Sequence, residues 1–348
     1  MKIINNYDGS SINIINNDKV NNTVYLTFKN NNKFNHYYNF KVDNTNSKEG
    51  TIIIKDFTNS FYYNKKNKYI PYLIKGDKII KFNEDKVKIV DNDYIINIDV
   101  DFVGEISLYP RYVKKDLQQF IDTIKVNNNI EIKNTPLVEI QIGKQRKENI
   151  VIFGRIHPGE TLSSYFIEEI ITYILNNEKI LNKYSFTIYP MISIIGVEKG
   201  EHRYTSNVDF NRIWNKKNIS KEIDYIKNRL VDIKPYLLID IHGDEITNID
   251  YIKTNMMFLN DDLGLFKVLK DRNIFYRFAR ALIKQKKIIN IFNITAREYI
   301  CKKYNCKGIL VELSLEKNDI NSTREKAKIF IEKLLEVLNN ENNDSCKK

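Results

Sequence analysis

Cysteine is scarce: Cys301, Cys306 and Cys346 are the only three in 348 residues, all toward the C-terminal end. An odd number without any CxxC pair argues against a disulfide framework or a cysteine-based metal cluster and fits reduced thiols. Long apolar runs are missing too. No segment approaches the length needed to span a bilayer, and the start, Met1-Lys2-Ile3-Ile4-Asn5-Asn6-Tyr7-Asp8, lacks the continuous apolar stretch of a secretory signal. The expectation is a cytoplasmic protein with no membrane partner. Dense basic runs are absent despite a formal net charge of +11. Lysines are scattered among Asn and Ile with no interleaved aromatic face, so nucleic acid is not an expected partner and the charge reads as solvated surface. No internal repeat and no long linker interrupts the chain.

What is present is ample apolar material: 42% hydrophobic and 12% aromatic residues. That suffices for a sizeable core, and the length suits two domains. From Ile12 to about Tyr109 short apolar or alternating runs recur, such as Val24-Tyr25-Leu26-Thr27-Phe28, Thr51-Ile52-Ile53-Ile54, Lys78-Ile79-Ile80-Lys81-Phe82 and Tyr94 to Val100, separated by polar turns. They predict a β-sandwich. After Pro110 the rhythm changes to helical spacing, with Leu117, Phe120, Ile121 and Ile124, and then strands and helices alternate. Strands are expected at Pro136–Ile142, Ile150–Phe153, Phe186–Tyr189, Tyr236–Ile241 and Ile309–Leu313. Helices are expected at Thr161–Leu175 and Thr323–Leu338. The predicted organisation is residues 1–112 as an N-terminal β-sandwich, 113–340 as an α/β domain with a central mixed sheet flanked by helices, and 341–348 as a frayed tail.

Histidine is rare, and of the four, two sit just past apolar strands, where side chains at the carboxyl edge of an α/β sheet face a ligand crevice. His157 follows Ile150-Val151-Ile152-Phe153-Gly154-Arg155-Ile156 and precedes Pro158-Gly159-Glu160, a tight turn able to bring imidazole and carboxylate together. His242 ends Leu237-Leu238-Ile239-Asp240-Ile241. Two nitrogens and a carboxylate are the three protein ligands of a catalytic zinc whose fourth position takes water. Taken alone, His157 would be a turn residue and His242 a core histidine; together with Glu160 they read as ligands. Asp240 either orients an imidazole or is buried in the sheet. His36 and His202 read as ordinary surface or structural residues. Arg203 and Arg212 lie in a Gly- and Asn-containing region, where guanidinium forks suit carboxylates and oxyanions, with structural salt bridges as the alternative. Glu312, inside the apolar strand Ile309-Leu310-Val311-Glu312-Leu313, needs a polar site to serve and is a candidate general base.

In this order these segments resemble the zinc metallocarboxypeptidases, and within them the cytosolic carboxypeptidase-like branch. His157-Pro158-Gly159-Glu160-Thr161 is similar to its first metal motif, Ile239-Asp240-Ile241-His242-Gly243 to the segment of the second histidine, and Val311-Glu312 to that of the catalytic glutamate. The resemblance implies one zinc per chain on His157, Glu160 and His242, with Glu312 as base. It also implies that Arg203 polarises the scissile carbonyl, that Asn211 and Arg212 grip the terminal carboxylate, and that Trp214 is structural. Ala296-Arg297-Glu298-Tyr299 resembles the start of a helix near the specificity pocket, making Arg297 the selector of acidic terminal side chains. Ser193-Ile194-Ile195-Gly196 and Asn207-Val208 depart from the family's turns. The implied function is hydrolysis of C-terminal residues, acidic ones included, from peptides or protein tails. The alternatives are a metal-dependent deacylase of small N-acyl amino acids and an inactive peptide-binding module.

Overall fold

The computed structural model describes residues 1–29, 33–45, 48–146, 148–254, 269, 276–277 and 294–345. Cys346 and the end of the expected tail fall outside these residues. The chain forms two compact units. One comprises Met1–Lys115 with the segments His157–Thr161 and Ile194–Val208, the other Asp116–Ile156, Leu162–Ser193 and Asp209–Lys348.

Among the described residues the first unit holds ten strands in chain order: β1 (Lys2–Ile4), β2 (Ile12–Asp18), β3 (Thr23–Phe28), β4 (Asn39–Asn44), β5 (Gly50–Ile54), β6 (Tyr72–Lys75), β7 (Lys78–Lys81), β8 (Val87–Val90), β9 (Asp93–Ile98) and β10 (Phe102–Ser107). They make two five-stranded sheets, ordered β1-β4-β10-β6-β7 and β2-β3-β5-β9-β8. Alternation explains the sandwich. Val24, Leu26 and Phe28 of β3 and Tyr94, Ile96 and Ile98 of β9 are buried, while the residues between them are partly exposed. Tyr38, just before β4, lies 5.8 Å from Tyr94 of the other sheet, and Phe57 stacks on Tyr94 at 4.8 Å, so aromatic rings fill the space between the layers.

The second unit is built on an eight-stranded mixed sheet. Its strands are β11 (Ile130–Lys133), β12 (Glu139–Ile142), β13 (Glu148–Gly154), β14 (Tyr184–Tyr189), β15 (Leu237–Asp244), β16 (Tyr251–Thr254), β17 (Tyr276–Arg277) and β18 (Lys307–Ser314), ordered β11-β12-β14-β13-β15-β18-β16-β17. The helices, in chain order along the whole molecule, are α1 (Lys114–Ile124), α2 (Leu162–Leu175), α3 (Ile194–Glu198), α4 (Lys221–Ile233), α5 (Ala296–Tyr304) and α6 (Ile320–Ser345). The central strands β14, β13, β15 and β18 are parallel. Covered on both faces, they read as continuous apolar runs.

Register sorts the side chains. Ile152, Ile239 and Ile309 are paired in sequence across β13, β15 and β18, as are Gly154, Ile241 and Val311, so they share one face. Helix α2 covers that face: a Cβ on Gly154 would strike Ile167, and Phe166 of α2 meets Phe330 of α6 at 5.7 Å. The opposite face carries Phe153, Asp240, His242, Leu310 and Glu312, continued on β16 by Tyr251 and Lys253. Trp214, fully buried, stacks on Phe153 at 5.4 Å, which accords with the structural role expected for it.

Two expectations change. The last helix runs from Ile320 to Ser345 rather than Thr323 to Leu338, so helix continues into the segment expected to fray. Ile194–Glu198, which overlaps the segment Ser193-Ile194-Ile195-Gly196 that departs from the family's turn, closes into the short helix α3.

Candidate active site

Strand β13 stops at Gly154, and Arg155 then adopts a left-handed φ of 52°, a conformation that costs a non-glycine residue about 1–2 kcal/mol. The surroundings hold it there. Arg155 is 2% exposed, its Nη1 donates to Ser164 Oγ at 3.1 Å, and its carbonyl accepts from Ser193 N at 3.0 Å. The kink carries the chain off the sheet edge into the turn His157-Pro158-Gly159-Glu160, after which α2 begins. Gly159 N donates to the His202 carbonyl at 2.7 Å, and a Cβ at Gly159 would run into the His202 ring, so glycine is needed at that point of the turn. The turn sets His157 Nδ1 2.5 Å from Glu160 Oε1, both side chains buried.

His242 lies near the carboxyl end of β15, 2% exposed. Its Nε2 is 3.1 Å from Asp240 Oδ1 and 3.4 Å from Asn211 Nδ2. Among the described residues, His157, Glu160 and His242 form a group whose ligand atoms all lie within 4.8 Å of one another.

The donor set fits a divalent cation. Two imidazoles and a carboxylate are what a catalytic zinc uses, with one position kept open. Ligands on a tetrahedral ion with bonds of about 2.1 Å sit roughly 3.4 Å apart, so His157 and Glu160 need to separate only slightly. Asp240 points the same way. It is 1% exposed, and among the described residues neither of its oxygens has an aligned hydrogen bond, although His242 Nε2 stands beside it. A carboxylate buried to this degree needs nearby positive charge. A cation on the imidazole's Nδ1 side would supply it through the ring.

Glu312 is paired in register with His242 on the neighbouring parallel strand, and with Tyr251 of β16 on its other side, so the three side chains share one face. Burial, then the Glu312 and Asp244 carboxylates, push the Tyr251 phenol far above its usual range, and it stays protonated. Asn211 and Arg212 sit in a single turn capped by Asp209, whose side chain accepts from Asn211 N. Arg212 Nη1 donates to the Asn211 carbonyl at 3.1 Å. Asn211 Oδ1 accepts from Ala296 N at 2.8 Å, at the start of α5.

Helix α5 carries Arg297, 4% exposed, and starts with a capping box formed by Thr295 and Glu298. Gly308 of β18 lets the helix close onto the sheet: a Cβ there would meet Cys301 Sγ and lie 3.2 Å from Arg297 Cγ. Burial, then the nearby Arg297, lower the Lys253 ammonium from its usual range. Arg203 belongs to the first unit, together with His157 and Glu160, and its Nη1 donates to Tyr62 Oη at 3.0 Å. His36 and His202, read as surface or structural, are both buried, and His36 N donates to His202 Nδ1 at 3.0 Å.

Residues 113–232 match the model of the family described as zinc carboxypeptidase. The matched segment holds His157, Glu160, Arg203, Asn211 and Arg212, and stops short of His242 and Glu312. Part of the chain is similar to cytosolic carboxypeptidase 1 of Mus musculus, 32% identical over 106 residues, which are 27% of this chain and 9% of that protein. A Plasmodium falciparum protein with the provisional name zinc carboxypeptidase is 40% identical over 89 residues, 24% of this chain and 5% of that protein. The matches thus span less than a tenth of these relatives' lengths. The crystal structure of a metallo-carboxypeptidase from Burkholderia cenocepacia superposes with a TM-score of 0.81 at 14% identity, covering 97% of this chain and 99% of that one, and shares the fold. Among the described residues, no helix is long and apolar enough to cross a membrane.

Sequence reasoning missed Arg155, Tyr251 and Lys253. No residue type announces a left-handed arginine. Tyr251 and Lys253, two apart on a strand, carry the period of a shared face and were legible once β16 was paired with Glu312.

Proposed function

We propose that this chain is a zinc-dependent carboxypeptidase that removes single residues from the free C-termini of peptides or protein tails in the cytoplasm, acidic residues preferred. The observation that carries it is the buried His157, Glu160 and His242 group with Glu312 in register beside His242. Zinc, when bound, supplies a Lewis acid that makes water acidic near neutral pH and polarises a carbonyl.

The chain's own residues supply the rest. Glu312 accepts the proton of the attacking water and returns it to the departing amine. Arg203 faces the oxygen of the scissile carbonyl, where negative charge develops. Asn211 Nδ2 and the Arg212 fork hold the terminal carboxylate, which restricts attack to the last peptide bond. Arg297, with Lys253 close enough to be destabilised by it, forms a cationic wall for an acidic terminal side chain.

The test is mass spectrometry of a peptide library varied at its C-terminal residue, incubated with the purified protein with and without a chelator. Chelator-sensitive loss of single C-terminal residues, fastest for Glu, is the expected result. Peptides ending in Glu cut no faster than those ending in Lys or Leu would remove the acidic preference alone. Turnover of short N-acyl amino acids with no peptide cut would move the reading to a deacylase, and binding of peptide tails by metal-free protein without any turnover to an inactive module.

A further inference from the structure

The first unit sets the Arg203 side chain against two aromatic residues, Tyr62 and Phe34. The Arg203 guanidinium donates from Nη1 to Tyr62 Oη at 3.0 Å, and its Cζ lies 5.7 Å from the centroid of the Phe34 ring. Both of these partners are neutral. A phenol oxygen accepting from the guanidinium and a ring face beside it both restrict the rotamers open to the arginine.

Tyr62 is itself held. It is 5% exposed, its ring is 5.0 Å from the His202 ring and 6.1 Å from Phe34, and its backbone N–H donates to Ser60 Oγ at 3.2 Å. His202 in turn accepts at Nδ1 from His36 N, and its carbonyl accepts from Gly159 N in the turn between His157 and Glu160. One bracket therefore grips the arginine through Tyr62 and the turn of the proposed ligands through His202. All these residues belong to the same unit.

We infer that Tyr62 is a positioning residue for Arg203, fixing the guanidinium where the carbonyl oxygen of the substrate gains charge. This rests on the role proposed above for Arg203. A free arginine side chain spreads over many rotamers and loses that entropy when it meets the transition state; one already held by Tyr62 and Phe34 has lost it during folding. The phenol hydroxyl is the decisive atom, because the ring packing survives in Tyr62→Phe.

The test is a double-mutant cycle of Tyr62→Phe and Arg203→Ala in the zinc-loaded full chain. It is joined to NMR of the arginine guanidinium signals of the same proteins prepared without metal. Tyr62→Phe should lower kcat about five- to tenfold with KM nearly unchanged, and should add less than about twofold in the Arg203→Ala background. The Arg203 guanidinium signal, sharp and slowly rotating in the wild type, should broaden or average in Tyr62→Phe. Equal losses from Tyr62→Phe in both backgrounds, or an unchanged Arg203 signal, would overturn the inference. If the wild type cleaves peptides and Arg203→Ala matches it, Arg203 is not the carbonyl-facing group and the inference falls with it while the metal reading stands. If the wild type cleaves nothing, the reading of function fails, and the guanidinium signal still decides whether Tyr62 holds Arg203.

Discussion

Asn211 accepts a hydrogen bond from the backbone N–H of Ala296 at 2.8 Å, so one side chain answers an orphan donor at the start of α5 while its other end, Nδ2, stands 3.4 Å from His242. The two ends have separable jobs. Its acceptor ties the turn of Asn211 and Arg212 to the helix carrying Arg297. Its donor is the part to which the proposed function gives the substrate carboxylate.

The Asp and Ala variants tell these jobs apart. Asn211→Asp keeps the acceptor and suits the helix N-terminus, so the melting temperature should stay close to wild type. It replaces the donor with a negative charge, and kcat/KM for free-acid peptides should drop about 10- to 100-fold, mostly in KM. Asn211→Ala should lose a similar amount of activity and about 1 kcal/mol of stability as well. Wild-type cleavage by Asn211→Asp would reduce Asn211 to a helix tie.

Glu312 and the ligand group are expected to fail in different ways. Glu312→Gln keeps the shape of the strand and leaves His157, Glu160 and His242 in place. Zinc content by atomic absorption should remain near one per chain while kcat falls about 10²- to 10⁴-fold. His242→Ala removes a ligand and should lose zinc outright. It should also lose the thermal stabilisation that zinc gives the wild type, about 2.7 kcal/mol at a hundred times the dissociation constant. Equal zinc contents in His242→Ala and wild type would place the metal elsewhere.

In the second unit the parts of the fold legible in the sequence were those where burial is complete. Ile150-Val151-Ile152-Phe153 and Leu237-Leu238-Ile239 announce parallel strands because both faces are covered, and the position of a histidine after each run follows from the strand's end. The position of Glu312 beside His242 depends on which strands are neighbours, a long-range pairing that no local pattern contains. Helix α4 is written in local signals: Ser220 caps it, and Ile223, Ile226, Leu230 and Ile233 repeat at helical spacing. The nearness of Lys253 to Arg297 was not recognisable, since it exists only once α5 closes on Gly308.

The last prediction concerns acid. His36 is fully buried, its ring 4.4 Å from Phe57 and 4.8 Å from Tyr69, and among the described residues neither ring nitrogen has a hydrogen-bond partner. Burial, and then the neighbouring His202, push it well below the usual histidine range, so it stays neutral in the folded protein. The unfolded chain binds a proton near pH 6.5 that the folded chain refuses. Stability is therefore fully present above about pH 6.5 and is lost as the pH falls, by up to about 1.4 kcal/mol for each unit until the folded-state value is reached. His36→Phe replaces the ring with one that cannot charge and fits the same aromatic surroundings. Urea unfolding of both proteins between pH 7 and 5 should show the variant gaining on the wild type steadily as the pH drops. A difference that stays constant with pH would mean that His36 takes up its proton in the folded state as readily as in the unfolded one.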